Sequence, residues 1–170
     1  MNIIFLDIDG VVNSDSFYID SPLFERGFDV QTALEIFKQS PELLIDKKLL
    51  GHVKELSSIL DASIVITSKW RFFCGKDDFL RMFDFHGWSN APIIDLTKDL
   101  RSEGKCRGDE VQLWLDTHSV NDYVIIDDID DFHRGQNFFK AHINYGFTKE
   151  CLQQAVNMMP SDYAISASLH

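Results

Sequence analysis

Four short apolar runs, three of which close on acids or hydroxyls, set the strongest limit on what this chain can fold into. Ile3-Ile4-Phe5-Leu6 ends at Asp7-Ile8-Asp9-Gly10, Ser63-Ile64-Val65-Ile66 ends at Thr67-Ser68, and Tyr123-Val124-Ile125-Ile126 ends at Asp127-Asp128. Ile93-Ile94-Asp95-Leu96 is the fourth run. Runs that are apolar throughout, rather than alternating, suit strands covered on both faces, as in a parallel sheet. Helical spacing lies between them. Residues 30–37 carry Ala33, Leu34 and Phe37. The stretch 46–60 carries Leu49, Leu50, Val53, Leu56 and Leu60 behind a candidate N-cap, Asp46. Further helices are expected over 77–85, over 108–116 with Val111, Trp114 and Leu115 on one face, and over 148–158. The last of these has Thr148 as its cap and turns Cys151, Leu152, Ala155, Val156 and Met159 inward. A short strand is expected near 141–144.

Strands alternating with helices predict an α/β fold: a doubly wound, mostly parallel sheet with right-handed crossovers and helices on both faces. Residues 13–45 form a flap-sized insert after the first strand, while 97–106 leave no room for a large cap. Phe17, Tyr18, Phe24 and Phe28 of the insert can either wall the site or pack in the core, and packing is the simpler expectation. One domain over 1–160 is expected, with 161–170 a flexible tail. With 170 residues, 45% of them hydrophobic, the chain can bury a real core. The three tryptophans and the Met158-Met159 pair are expected to pack there.

In open parallel sheets, ligands bind at the carboxyl ends of strands, beside the switch in strand order. Asp7 and Asp9, Thr67 and Ser68, and Asp127 and Asp128 all fall at such ends. Asp-Gly alone is a turn signal, but four carboxylates gathered at one edge repel one another. They need protonation, basic side chains or a metal to neutralise them. An all-oxygen set of acids suits Mg²⁺. A carboxylate can then attack phosphorus, and a second acid can protonate the leaving oxygen. Thr67 offers a hydroxyl, and Arg107 or Lys105 a cation, for the phosphoryl oxygens.

Other groups read as background. The net charge of −11 speaks against broad, charge-driven binding of nucleic acid, though a local basic cleft is compatible with it. No apolar run approaches the ~20 residues that span a bilayer, and the opening, with acids in its apolar stretch, lacks the form of a signal peptide. A cytoplasmic location without membrane contact is therefore expected. Cys74, Cys106 and Cys151 are too scattered for a disulfide framework or a zinc site, and the six histidines show no metal spacing. His133, just after the last acids, reads as an ordinary loop histidine.

The ordered set Asp7-Ile8-Asp9-Gly10, Ile66-Thr67-Ser68, a basic residue opening a helix, and Ile126-Asp127-Asp128 is similar to the haloacid dehalogenase (HAD) superfamily of phosphatases. The finer wording lies in Phe5-Leu6-Asp7-Ile8-Asp9-Gly10-Val11-Val12-Asn13, Ser68-Lys69-Trp70-Arg71, Arg107-Gly108-Asp109-Glu110-Val111-Gln112 and Gly146-Phe147-Thr148. It resembles the small, uncapped HAD domains associated with RNA-repair proteins. The resemblance implies that Asp7 is the nucleophile and that Asp9 is the general acid/base, with its backbone carbonyl on Mg²⁺. Thr67, with Ser68 beside it, holds the phosphoryl group. Arg107 stands where the family usually has lysine, with Lys105 as competitor. Asp127 completes the metal site, and Asp128 either ligates the ion or supports its ligands. Lys69 and Arg71 either guide an anionic substrate or are solvated charges on a helix start.

These residues point to a Mg²⁺-dependent phosphomonoesterase working through an aspartyl phosphate on a phosphorylated macromolecule. A phosphoprotein, including phosphotyrosine, is narrowly favoured over a polynucleotide end because of the charge. The alternative class is a non-catalytic or receiver-like phosphate-binding module. A receiver would carry its phosphorylated acid after the third strand, and this chain carries its acids after the first and fourth.

Overall fold

The computed structural model describes residues 1–24 and 29–158. The apolar runs form β1 (Asn2–Leu6), β2 (Ala62–Ile66), β3 (Ile93–Leu96) and β4 (Asp122–Asp127), joined by a fifth strand, β5 (Phe138–Lys140). The sheet order is β3-β2-β1-β4-β5, and every neighbouring pair is parallel. The chain therefore builds outward from β1 to β3, then returns to lay β4 on the free side of β1. That return places the switch in strand order between β1 and β4, where a crevice opens at the strands' carboxyl ends.

Helices cover both faces. Ile4, Leu6, Ile64, Ile66, Val124 and Ile126 point to one face. There they meet α3 (Lys47–Leu60), α4 (Lys76–Phe85) and α6 (Lys149–Met158). Ile3, Phe5, Val65 and Ile125 point the other way, onto Val111 and Trp114 of α5 (Arg107–Asp116). Each such side chain fully withdrawn from water contributes ~1.5–3 kcal/mol before the entropy of ordering is counted. This two-sided burial is why the strands read as unbroken apolar runs. Asp46 caps α3 as expected, accepting from the amides of Lys48 and Leu49.

The insert is more regular than its sequence suggests. It holds α1 (Asp15–Asp20), capped by Ser14, and α2 (Val30–Gln39), capped by Asp29. Phe24 is buried and packs edge-on against Tyr18, with ring centroids 5.6 Å apart. Phe28, Met159 and the 161–170 segment lie outside the described residues.

The last strand departs from expectation. It occupies Phe138–Lys140, paired with Ile125–Asp127, rather than 141–144. Beyond it, Ala141 still donates to the Asp127 carbonyl, but the chain then folds back through a bridge between His142 and Gly146. The turn over residues 143–145 ends the extended run, leaving Phe138-Phe139 as the apolar pair that joins the sheet. Among the described residues no helix is long and apolar enough to cross a membrane.

Candidate active site

The sheet's hydrogen bonding continues one residue past its strands. The Asp7 amide donates to Ile126 O at 3.0 Å and the Thr67 amide to Leu6 O at 2.9 Å. Asp7 and Thr67 are thereby fixed at the ends of β1 and β2, and Asp127 is itself the last residue of β4. All three are buried.

One oxygen each from Asp7, Asp127 and Asp128 lies within 4.8 Å of the others. Arg107, the first residue of α5, reaches into this group. Its guanidinium is 3.1 Å from Asp7 Oδ2 and donates directly to Asp127 Oδ2. Lys105 is exposed, outside the buried group. One guanidinium cannot neutralise three carboxylates. Burial, followed by the charge of Asp7, raises the carboxyl pKa of both Asp127 and Asp128 above the usual value. Burial alone would make the Arg107 guanidinium a stronger acid, but the charges of Asp7 and Asp127 outweigh it and hold the proton more tightly.

The loops that carry these acids touch. Gly10 adopts a left-handed φ of 69°, and a Cβ there would lie 2.6 Å from the Asp128 carboxyl carbon. Only glycine suits both the backbone and the approach.

Asp9 does not join the acid cluster, which corrects the expectation of four converging carboxylates. Two residues share a face only while the chain stays extended. Here the amides of Val11 and Val12 fold back onto Ile8 O, so the alternation stops at Asp7. The Asp9 carboxylate instead accepts from Trp70 Nε1 at 2.9 Å and from Asn13 Nδ2 at 3.0 Å. Although solvent reaches it, the surrounding protein raises its pKa by desolvation. The hydrogen bond from Asn13 opposes that effect, while the Asp7 charge adds to it. Trp70 is thus more than the core-packing residue its sequence context suggests, and Asn13 carries no signal of its own in the sequence. The signal available was adjacency: β1 pairs with β2, so the turns after them must meet.

The second strand's loop is also more structural than expected. Ser68 Oγ accepts from the Trp70 amide, capping a short 3₁₀ turn over Lys69–Phe72. Arg71 does not face solvent: its side chain is only 4% exposed. It bonds the carbonyls of Thr67, Ser68 and Thr97 and pairs with Glu110 of α5, so it braces the loop rather than reaching for substrate. Lys69 is exposed.

Two hollows flank the acids. One of about 340 Å³ opens beside Asp9 and is lined by Tyr18, Leu34, Phe37, Trp70 and Ile143. The other, about 250 Å³, lies beside Arg107 with Lys69, Phe72 and Arg101. A larger hollow of about 680 Å³, next to His52 and Lys149, holds none of the site aspartates.

The donor set fits a hard divalent cation. It is all carboxylate oxygen, and Asp7 Oδ1 and Asp128 Oδ1 are buried with no hydrogen-bond partner. Buried acceptors are rarely left unpaired. Mg²⁺ suits such ligands and retains positions for water and phosphate oxygens. A family model described as "HAD domain in Swiss Army Knife RNA repair proteins" matches residues 3–152. No match was found among curated proteins or among solved structures.

Proposed function

The chain belongs to the family of HAD domains in Swiss Army Knife RNA repair proteins, and on that premise we propose that it is a Mg²⁺-dependent phosphomonoesterase acting on the terminal phosphate of a polynucleotide. One observation carries the reading. Asp7 Oδ1, Thr67 Oγ1 and Asp128 Oδ1 are all buried without a protein partner, at the carboxyl ends of three adjacent strands and beside Arg107. A phosphoryl group and a cation are the partners such a set lacks.

In this reading an Asp7 carboxylate oxygen attacks phosphorus, and the bond to the leaving oxygen breaks. Asp9 gives that oxygen its proton. The Asp9 carboxylate then takes a proton from water, whose oxygen attacks the aspartyl phosphate. Inorganic phosphate leaves and the Asp7 carboxylate is restored. Thr67 and Arg107 hold the phosphoryl oxygens throughout. When bound between Asp7, Asp127 and Asp128, Mg²⁺ would neutralise charge on phosphate and carboxylates.

The sequence alone narrowly favours a phosphoprotein. Three observations move the preference to a polynucleotide. The matched family's description is of RNA repair. Lys69 and Arg101 line the cleft next to Arg107, giving an acidic chain a local cationic path. On the Asp9 side, where the leaving group must lie, Tyr18, Phe37 and Trp70 offer aromatic surface on which a base can stack.

The test is hydrolysis of p-nitrophenyl phosphate with Mg²⁺ and with EDTA, by wild type and Asp7→Asn. Turnover should need Mg²⁺ and be lost in the variant. Competition by 3′- and 5′-phosphorylated oligonucleotides should exceed that by phosphopeptides, and the reverse order would return the substrate to protein.

A further inference from the structure

Away from the acid crevice, three side chains of different ligand type meet at the start of α5. Cys106 and Asp109 flank its first turn, and His133 comes from the loop between β4 and β5. His133 Nε2 lies 3.1 Å from Asp109 Oδ1 and 3.9 Å from Cys106 Sγ. One ligand atom from each residue falls within 4.8 Å of the others. The same ring nitrogen faces both partners. In a thiol–imidazole–carboxylate relay the carboxylate would instead hold the opposite nitrogen. A shared point of ligation explains the arrangement better. Metal bonds of about 2.3 Å to sulfur and about 2.0–2.2 Å to nitrogen and oxygen place tetrahedral ligands roughly 3–4 Å apart.

The backbone holds these groups in register. Asp109 Oδ2 accepts the Cys106 amide at 2.9 Å, which aims Oδ1 at the imidazole. The loop is tied to the helix by Gly108 N to Asp131 O at 2.9 Å, Arg107 N to Asp131 Oδ2 at 3.1 Å and Gln136 Nε2 to Gly108 O at 2.9 Å. Gln136 Oε1 in turn accepts the His133 amide. A Cβ on Gly108 would come within 2.8 Å of the His133 nitrogen, so the absence of a side chain permits the contact.

We propose that Cys106, Asp109 and His133 bind Zn²⁺, with water as fourth ligand, and that the ion clamps the β4–β5 loop to α5. On binding, the Cys106 thiol loses its proton to solvent and sulfur donates to the metal. Thiolate and carboxylate together then neutralise the ion. Sulfur and imidazole favour zinc here over the hard cation suited to the aspartate cluster. The clamp joins two segments that matter to the crevice, because the loop starts after Asp127 and the helix begins with Arg107. Sequence spacing concealed the set, since His133 lies 27 residues from Cys106 and 24 from Asp109.

Co²⁺ titration of the full chain tests this, under reducing anaerobic conditions with excess Mg²⁺ to occupy the aspartates. One equivalent should give a thiolate-to-metal charge-transfer band that Zn²⁺ displaces. The band should persist in Cys74→Ser and Cys151→Ser and vanish in Cys106→Ser and His133→Ala. Serine is a favoured N-cap and the His133 side chain is 49% exposed, so circular dichroism should show both variants folded. No band, or a band surviving either substitution, overturns the proposal. Zn²⁺ should also slow amide exchange over 129–137 in wild type and not in Cys106→Ser. Unchanged exchange in the presence of the band overturns the clamp.

Discussion

Asp7 and Asp9 are two positions apart and of one residue type, yet their surroundings separate their chemistry. Asp7 is buried beside Arg107, whereas Asp9 lies in the following turn between Trp70 and Asn13. Because desolvation raises the Asp9 pKa, its proton persists to higher pH than on an ordinary aspartate. That is the condition for a general acid. Asp9→Asn should leave the circular dichroism spectrum intact and lower kcat by ~10²–10⁴-fold on an alkyl phosphate. The loss should be much smaller on p-nitrophenyl phosphate, whose leaving group needs no proton. Equal losses on both substrates would point away from proton donation. Arg107 has a different task. Replacing it by Met leaves Asp7 and Asp127 facing each other without a counter-charge. In metal-free protein at neutral pH this should cost about 3–5 kcal/mol by urea denaturation, and Arg107→Lys should cost less. The difference should shrink in acid, where Asp127, whose pKa is raised by burial, takes up a proton.

At the scale of elements, α5 does more than carry Arg107. Its Val111 and Trp114 pack on the sheet, while Glu110, 1% exposed, accepts from the Leu100 amide and from Arg71. Arg71 in turn fixes the carbonyls of Thr67 and Ser68. A buried ion pair thus links the helix to the loop that bears the buried Thr67 hydroxyl. Glu110→Ala should lower unfolding free energy by about 3–5 kcal/mol, since it strands a buried guanidinium. Glu110→Gln, which retains an acceptor for Leu100, should lower it less. The helical period of α5 is legible from Val111 and Trp114, but the inward turn of Glu110 is not. A charged residue reads as solvated until its partner 39 positions away is seen. The same limit explains Arg71, which the sequence offers as a guide for an anionic substrate and the fold uses as a brace. Strand β5 forms at Phe138–Lys140 rather than 141–144 for a related reason: three residues at a sheet edge give little pattern, and the fold-back after His142 depends on tertiary contact.

For the whole molecule, the order β3-β2-β1-β4-β5 brings acids from strands far apart in the chain, Asp7 after β1 and Asp127 and Asp128 at the end of β4, to one crevice. This much was legible, because continuous apolar runs betray buried parallel strands and their polar ends betray the sheet edge. Which acids converge was not, because it turns on the backbone reversal at Ile8–Val12. The convergence has a measurable cost. Asp127 and Asp128 hold their protons more tightly when folded than an ordinary carboxyl does. Their contribution to stability is complete below the unfolded pKa of ~3.9 and is lost as pH rises through the folded values. Mg²⁺ needs the ionised forms. Its effect on Tm should therefore be absent near pH ~4 and grow toward neutrality. At a hundredfold excess over Kd the gain should be ~2.7 kcal/mol, or about 5–10 °C. Calorimetry with Mg²⁺ against EDTA across pH checks this, and an increment independent of pH would contradict it.

The sheet's extra rung at Asp7 has a kinetic meaning. The Asp7 backbone is tied to β4 and its carboxylate is paired with Arg107, so in the proposed mechanism the attacking group would be positioned before any ligand arrives. Asp9 is retained by side-chain bonds alone and can exchange them for an incoming oxygen. In the proposed mechanism, stillness and mobility would thus be allotted within three residues, one group forming a bond and the other ferrying a proton.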